Sequence, residues 1–399
     1  MTLRILLLTS AYPPVMGGAE TYVREIAEGM AALGHEVRVV TDAVAGRPEQ
    51  HVQSSREVRK GVRVDRLAGY RALLADPSKL PWEQMLFGTL PELASVLGTW
   101  RPDLVFANSL ETAVLGRIVA DEHEVPLVSA FHEHEPENEP FGTGRCSLVY
   151  RWVRPELVLA GSRFYAARAR AHVPEDRIAL IHHGVDTDRF APPGRDPSGR
   201  RETRRAWGVA DDELLIVSVG RLKPRKGQAE LLRSFTGLPG LRAVLVLLGG
   251  VSSGSPEYAE QLRTDIAAAR ADGFRIVLDT GVDLDGMPTA LAAADLAVLP
   301  SHSEGLGLAL LEAMSTGLPV IATEIEGFAE VLDGCPAALT VPLGDEKALT
   351  GALSSLAMDP GLRQRLGALA RDRAVERFSS RRMTRHTLAL LERLVGGAQ

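Results

Sequence analysis

Short runs of Val, Ile and Leu recur along the chain, each closed by a glycine, a proline or a small polar residue. In the first half they predict strands at 4–10, 36–42, 62–68, 103–108, 126–131, 157–160 and 178–181. Several are continuous rather than alternating, the pattern of strands buried on both faces of a parallel sheet. Between them the apolar positions fall at helical spacing, as in 20–33, where Gly34 supplies a C-terminal stop. The pattern restarts at 214–220 and continues at 243–249, 275–279, 296–299, 319–323 and 338–341. Strand and helix alternate in both halves, so the fold class is α/β, built as two doubly wound, Rossmann-like sheets.

A chain of 399 residues suits two such domains. The stretch 191–199 carries Pro192-Pro193 and two glycines and reads as a hinge. Residues 1–190 are therefore predicted to form the N-terminal domain and 191–380 the second, leaving 381–399 as a C-terminal helix. That helix carries Leu388, Leu391 and Leu394 at helical spacing and must pack on something. The arginines within 200–205 read as the solvated start of a helix.

A net charge of −6 gives no global pull toward nucleic acid or anionic membrane. The two cysteines, Cys146 and Cys335, show no metal-ligand spacing and suit a reducing compartment. No apolar run approaches the ~18 residues of a membrane span, and Ile5–Leu8 is too short for a signal segment. A cytoplasmic protein is expected, and membrane contact is not. The residues do not choose an oligomeric state.

Chemistry concentrates in four loops that follow predicted strands. Ser303-Glu304-Gly305-Leu306-Gly307-Leu308 leads into a helix carrying Glu312. A strand, a glycine loop and a helix N-terminus make an anion site, because unpaired N–H groups and the helix dipole converge there. Carboxylates on both sides would repel a bare phosphate, so their natural task is accepting hydrogen bonds from hydroxyls; otherwise they are two solvated acids. Gly220-Arg221-Leu222-Lys223-Pro224-Arg225-Lys226-Gly227 follows the strand 214–220. Arg221 and Lys226 at this spacing can clamp a diphosphate, with Lys223 and Arg225 facing solvent. Only five of the 45 basic residues are lysine, so Lys226 draws notice. Pro13-Pro14-Val15-Met16-Gly17-Gly18-Ala19-Glu20 places a glycine pair at a helix start, where N–H groups can meet an anion or a hydroxyl. Finally, Phe131-His132-Glu133-His134-Glu135-Pro136-Glu137-Asn138-Glu139 is either a solvated acidic loop or a collector for a cationic acceptor. His132 and His134 point to opposite sides of an extended chain, which disfavours shared metal ligation.

These motifs together resemble glycosyltransferase family 4: the Glu-x7-Glu of Glu304 and Glu312, the Gly-Arg-x4-Lys-Gly of 220–227, and the Pro-Pro-x-x-Gly-Gly-x-Glu of 13–20. The resemblance implies the GT-B fold, two facing Rossmann-like domains whose ligand loops line one cleft, with the C-terminal helix crossing back to the first. It implies a retaining, metal-independent transfer of a hexose from a nucleoside-diphosphate sugar to a hydroxyl of a small acceptor, with no cofactor. His132, Arg221, Lys226 and Glu304 are then the catalytic candidates. Gly17, Gly18, Gly305, Leu306, Gly307, Leu308 and Glu312 join Arg221, Lys226 and Glu304 around the donor, Glu312 on the ribose and Glu304 on the sugar. Tyr12, Glu20, Asn108 and Glu133 are the acceptor-side candidates, Tyr12 being equally readable as a core aromatic. The acidic loop points to an amino-sugar or aminocyclitol acceptor. Two departures stand out: His183-Gly184-Val185-Asp186 replaces the family's usual Asn-Gly-Val-Asp, and Phe106-Ala107-Asn108-Ser109 replaces a histidine pair. Competing readings are a sugar phosphorylase or an epimerase, a silent nucleotide-sugar-binding scaffold, and a membrane-surface enzyme using the arginines Arg363, Arg365, Arg371, Arg373, Arg377, Arg381, Arg382 and Arg385.

Overall fold

The computed structural model describes residues 1–15, 17–42, 55–67, 88–135, 143–192, 194, 197–251 and 254–397. Two compact units emerge: Met1–His183 with Ser380–Gln399, and Gly184–Ser379. The chain changes unit ahead of the proline-rich stretch, because Val185 and Phe190 are buried in the second unit's core.

The first unit contains β1 (Arg4–Leu8), β2 (Glu36–Asp42), β3 (Ser55–Arg59), β4 (Val62–Leu67), β5 (Leu104–Ala107), β6 (Leu127–Phe131), β7 (Leu157–Ala160) and β8 (Ile178–Leu180). They form one eight-stranded sheet in the order β3-β4-β2-β1-β5-β6-β7-β8. Every pairing is parallel except β3 with β4. Strand β3, of sequence SREVR, is exposed along its length and closes one edge; it carries no apolar run and was not predicted. The chain moves outward from β1 through β2, then crosses to β5, so the order reverses between β1 and β5. Ligands of open α/β sheets bind beside such a switch, at the strands' C-terminal ends. The last helix, Ser380–Gly397, packs on the helix Gly18–Ala32 within this unit, burying Leu388 and Leu391.

The second unit contains β9 (Leu214–Val219), β10 (Ala243–Leu248), β11 (Ile276–Asp279), β12 (Leu296–Leu299), β13 (Val320–Thr323) and β14 (Ala338–Val341), all parallel, in the order β11-β10-β9-β12-β13-β14. Its switch lies between β9 and β12. The loops after these two strands are 220–227 and 300–307, so the two motifs singled out in this half emerge side by side.

Two arginine-rich stretches are only partly solvated. Arg200 and Arg204, on the helix Pro197–Ala206, reach the C-terminal end of the helix Met287–Ala293, where Arg200 Nη1 donates to the Ala292 and Ala294 carbonyls at 2.6 and 3.0 Å. Both also bind Asp295, at 2.8 and 3.0 Å. Cations at a helix C-terminus complement its dipole, which draws this face inward rather than leaving it solvated. Within 363–385, Arg363 donates to Leu356 and Ala357, Arg371 to Thr187, Phe190 and Ser315, and Arg373 to Val331 and Asp333. Those three are occupied by backbone carbonyls and do not offer a free basic face. Among the described residues no helix is long and apolar enough to cross a membrane.

Candidate active site

In the second unit the site begins with backbone geometry. Gly227 has φ 67°, and a Cβ there would lie 2.1 Å from the Pro300 carbonyl oxygen, so only glycine lets the loop after β9 touch the loop after β12. The contact is then sealed by hydrogen bonds: the His302 amide donates to the Arg225 carbonyl at 2.8 Å, and Arg225 Nη1 donates to the Ser303 carbonyl at 2.7 Å. Gln228 holds the turn from below, donating to the Gly220 and Arg221 carbonyls at 3.3 and 3.1 Å.

This seam brings Lys226 and Glu304 together. The Lys226 ammonium donates directly to Glu304 Oε1, which also accepts from Ser301 Oγ at 3.0 Å, while Arg225 lies 3.5 Å from Oε2. Burial works to raise the Glu304 pKa, but Lys226, Arg225 and these hydrogen bonds outweigh it and hold the carboxyl below its ordinary value. Arg225 was expected in solvent; instead it is the second counter-ion of Glu304. Arg221 is exposed, and among the described residues its guanidinium has no ion-pair partner, which leaves a cation on offer at the strand end.

The glycine turn follows. Gly305, Leu306 and Gly307 are buried, Gly307 has φ 91°, and a Cβ on it would strike the Phe328 ring at 2.4 Å. The helix Leu308–Ser315 starts there, so its first N–H groups emerge beside Glu304, and Glu312 lies one turn further along, partly exposed. A carboxylate, an ammonium, a guanidinium and helix amides at one switch point can hold an anion carrying a hydroxylated group.

In the first unit, Thr9, Asn108 and His132 are each the first residue beyond β1, β5 and β6. The parallel register that pairs Leu8 with Ala107 and Ala107 with Ser129 puts these strand ends together. His132 Nε2 lies 2.9 Å from Asn108 Oδ1, and Asn108 Nδ2 reaches Thr9 Oγ1 and the Ala19 carbonyl, both at 3.3 Å. The imidazole packs among Tyr22, Tyr165 and His183, with centroids 5.2, 6.4 and 5.5 Å away. Burial pushes its pKa down to about 4, so the ring is neutral at pH 7. Glu20, in the first turn of the helix Gly18–Ala32, folds over Gly17, where a Cβ would lie 2.1 Å from Glu20 Oε2. Gly18 is exposed beside them.

Three of the acceptor-side candidates are placed as follows. Tyr12 is fully buried, its hydroxyl without a hydrogen-bond partner among the described residues, because the loop after β1 tucks it into the core against the sheet. Asn108 is 3% exposed and spends its amide on Thr9, Ala19 and His132, so it serves the histidine rather than a ligand. Glu133 is partly buried near Cys146 and Tyr150; after burial itself, its charge helps lift the Cys146 thiol to about 11 and the Tyr150 hydroxyl well above its ordinary value. His134 stacks on Phe164 at 4.8 Å, while Pro136, Glu137, Asn138 and Glu139 lie outside the described residues. His183 is buried against Gly161, where a Cβ would lie 2.0 Å from its ring, and fills the space as a structural side chain.

A family model described as glycosyl transferases group 1 matches residues 199–373, and one described as glycosyltransferase family 4 matches residues 16–189. The chain is 29% identical over 393 residues to the GDP-mannose-dependent alpha-(1-6)-phosphatidylinositol monomannoside mannosyltransferase of Mycolicibacterium smegmatis, covering 94% of this chain and 95% of that one. It is 30% identical over 401 residues to the D-inositol 3-phosphate glycosyltransferase of Streptomyces griseus, covering 89% and 80%. Sucrose-phosphate synthase from Thermosynechococcus elongatus shares the fold, with a TM-score of 0.78 over 99% of this chain and all of that one, at 23% identity.

Proposed function

The chain belongs to the family 4-type glycosyltransferases of the GT-B class, enzymes that move a sugar from a nucleotide-sugar donor, and from that premise we propose a retaining, metal-independent hexosyl transfer to a hydroxyl of a cyclitol-type small acceptor. The observation that carries the donor half is the seam of Lys226 and Glu304 beside the start of the helix Leu308–Ser315. The diphosphate takes the cations of Arg221 and Lys226 and the amides of Gly305–Leu308, Glu312 accepts from the ribose hydroxyls, and Glu304 accepts from the sugar.

The anomeric carbon–oxygen bond breaks toward the diphosphate while the acceptor oxygen bonds the same face of the anomeric carbon. The acceptor's proton leaves with a diphosphate oxygen. Negative charge grows on the leaving group, and fixed cations plus helix amides stabilise it there, the role a divalent ion plays elsewhere. His132 meets the donor sugar. Support for a cyclitol acceptor is that both relatives above carry inositol in their names. Support for a cationic one, an aminocyclitol, is the run of acids after His132, of which Glu133 and Glu135 are described.

A thermal-shift panel of UDP-, GDP-, ADP- and TDP-hexoses tests the donor half, because a ligand of the folded state raises Tm by mass action. The responding donor is then incubated with inositols and aminocyclitols, and the anomeric configuration of the product is read by NMR. No donor response, or an inverted product, would overturn the proposal.

A further inference from the structure

The geometry points to Asn108 as the positioning residue that fixes one tautomer of His132, leaving its Nδ1 as a hydrogen-bond acceptor that selects a hydroxyl on the donor sugar. The proton positions follow from the neighbours. The Ala19 carbonyl can only accept, so the Asn108 group 3.3 Å away is the amide NH2. Thr9 Oγ1 gives its single proton to the Ala11 carbonyl at 2.9 Å and therefore accepts the other Nδ2 proton at 3.3 Å. The amide is thereby oriented, and Oδ1 faces His132 Nε2 at 2.9 Å. An acceptor opposite a neutral imidazole nitrogen requires that nitrogen to carry the proton, so Nδ1 holds the lone pair. Among the described residues the ring makes no other hydrogen bond.

Asn108 is buried at the end of β5 and ties three segments together: the end of β1 through Thr9, the glycine loop through Ala19, and His132 after β6. A displacement of the glycine loop is therefore felt at the imidazole through one side chain. The rings packed around it are Tyr22, Tyr165 and His183; burial holds the Tyr22 hydroxyl well above and the His183 imidazole well below its ordinary value, so both are neutral at pH 7 and neither contributes a charge that competes with the amide for the tautomer.

The selectivity half rests on the reading that His132 meets the donor sugar; the tautomer half does not, and one experiment separates them. Long-range 1H–15N correlation spectra of the intact chain, labelled at histidine nitrogen and assigned with His132→Gln, read the tautomer directly. The expected result at pH 7 is a pyrrole-like Nε2 and a pyridine-like Nδ1. Asn108→Asp, which puts a carboxylate beside Nε2, should lift the His132 protonation midpoint above about 4. Asn108→Ala should give mixed tautomers. In parallel, turnover is compared between the native nucleoside-diphosphate hexose and its deoxyfluoro analogues, since fluorine cannot donate. At one ring position the wild type should lose about tenfold in kcat/KM, and Asn108→Ala should lose less. A protonated Nδ1 in the wild type, or a midpoint unmoved in Asn108→Asp, overturns the positioning role. The expected tautomer with full turnover of every deoxyfluoro donor overturns the sugar contact alone.

Discussion

Lys226→Ala separates the structural from the chemical role of the second unit's cation. In the folded chain Lys226 and Glu304 are 15% and 12% exposed, so their attraction is little screened by water. Removing one partner of a buried pair costs about 3–5 kcal/mol when the other charge is stranded. Here Glu304 keeps Ser301 at 3.0 Å and Arg225 at 3.5 Å, which lowers the expected loss to about 1–3 kcal/mol. Glu304→Gln should cost less, about 1 kcal/mol, because a lysine on a flexible stem can turn to solvent. The double variant should then show a coupling of about 1–2 kcal/mol between the sites. Stability is read by hydrogen exchange on peptides covering β9 and β12, which isolates the second unit.

The pH dependence has a definite sign. Glu304 titrates below its ordinary 4.5 in the folded chain, so its ionisation stabilises fully above 4.5 and that contribution is lost as pH falls through the lower folded value. Lys226→Ala should shrink this acid-side loss. Turnover behaves separately: on the proposed reading Lys226→Ala removes a charge that faces the leaving group, and it should lower kcat by about 10²–10³. Arg221→Ala should lower turnover comparably while leaving stability within about 0.5 kcal/mol, since Arg221 is exposed. Additive stabilities in the cycle would refute the pairing, and native turnover in both alanine variants would refute the diphosphate clamp.

Glu312→Ala should raise the donor KM about tenfold with kcat nearly unchanged, as expected for a hydrogen bond made equally in ground and transition states; a selective kcat loss would move Glu312 to the reacting end. Turnover should persist in EDTA, and a requirement for restored Mg²⁺ would contradict the charge role given to Arg221 and Lys226. Asp295→Ala should cost the second unit about 3–5 kcal/mol, because it leaves the buried Arg204 without its carboxylate at 3.0 Å; exchange rates on β9 and β12 within error of wild type would refute this.

How much of this was readable beforehand depends on where each signal resides. Thirteen of the fourteen strands carry apolar residues that mark them one segment at a time, and β5, β6, β10, β12 and β13 are buried along their whole length. Strand β3 is exposed along its length, so its hydrophobicity says nothing, and only its antiparallel partner β4 defines it. The motifs around Lys226 and Glu304 were visible as local spacings, but their contact was not, since they lie 78 residues apart. What joins them is the switch between β9 and β12, a property of strand order. Arg225 shows the same limit: a basic residue in a Pro-Arg-Lys-Gly loop reads as solvated until the Ser303 carbonyl is placed against it.

The first unit carries the point further. Tyr12, Asn108 and His132 each follow a strand, and from spacing alone all three have equal claim to face a ligand. Burial divides them: Tyr12 is enclosed by the core, Asn108 is committed to three protein partners, and only His132 retains an uncommitted ring nitrogen among the described residues. A residue type names the hydrogen bonds a side chain can make, and the fold decides how many remain to offer. In its proposed role His132 would read a substrate with the nitrogen that Asn108 leaves uncommitted, and Asn108 lies 24 residues away in sequence and one strand away in the sheet.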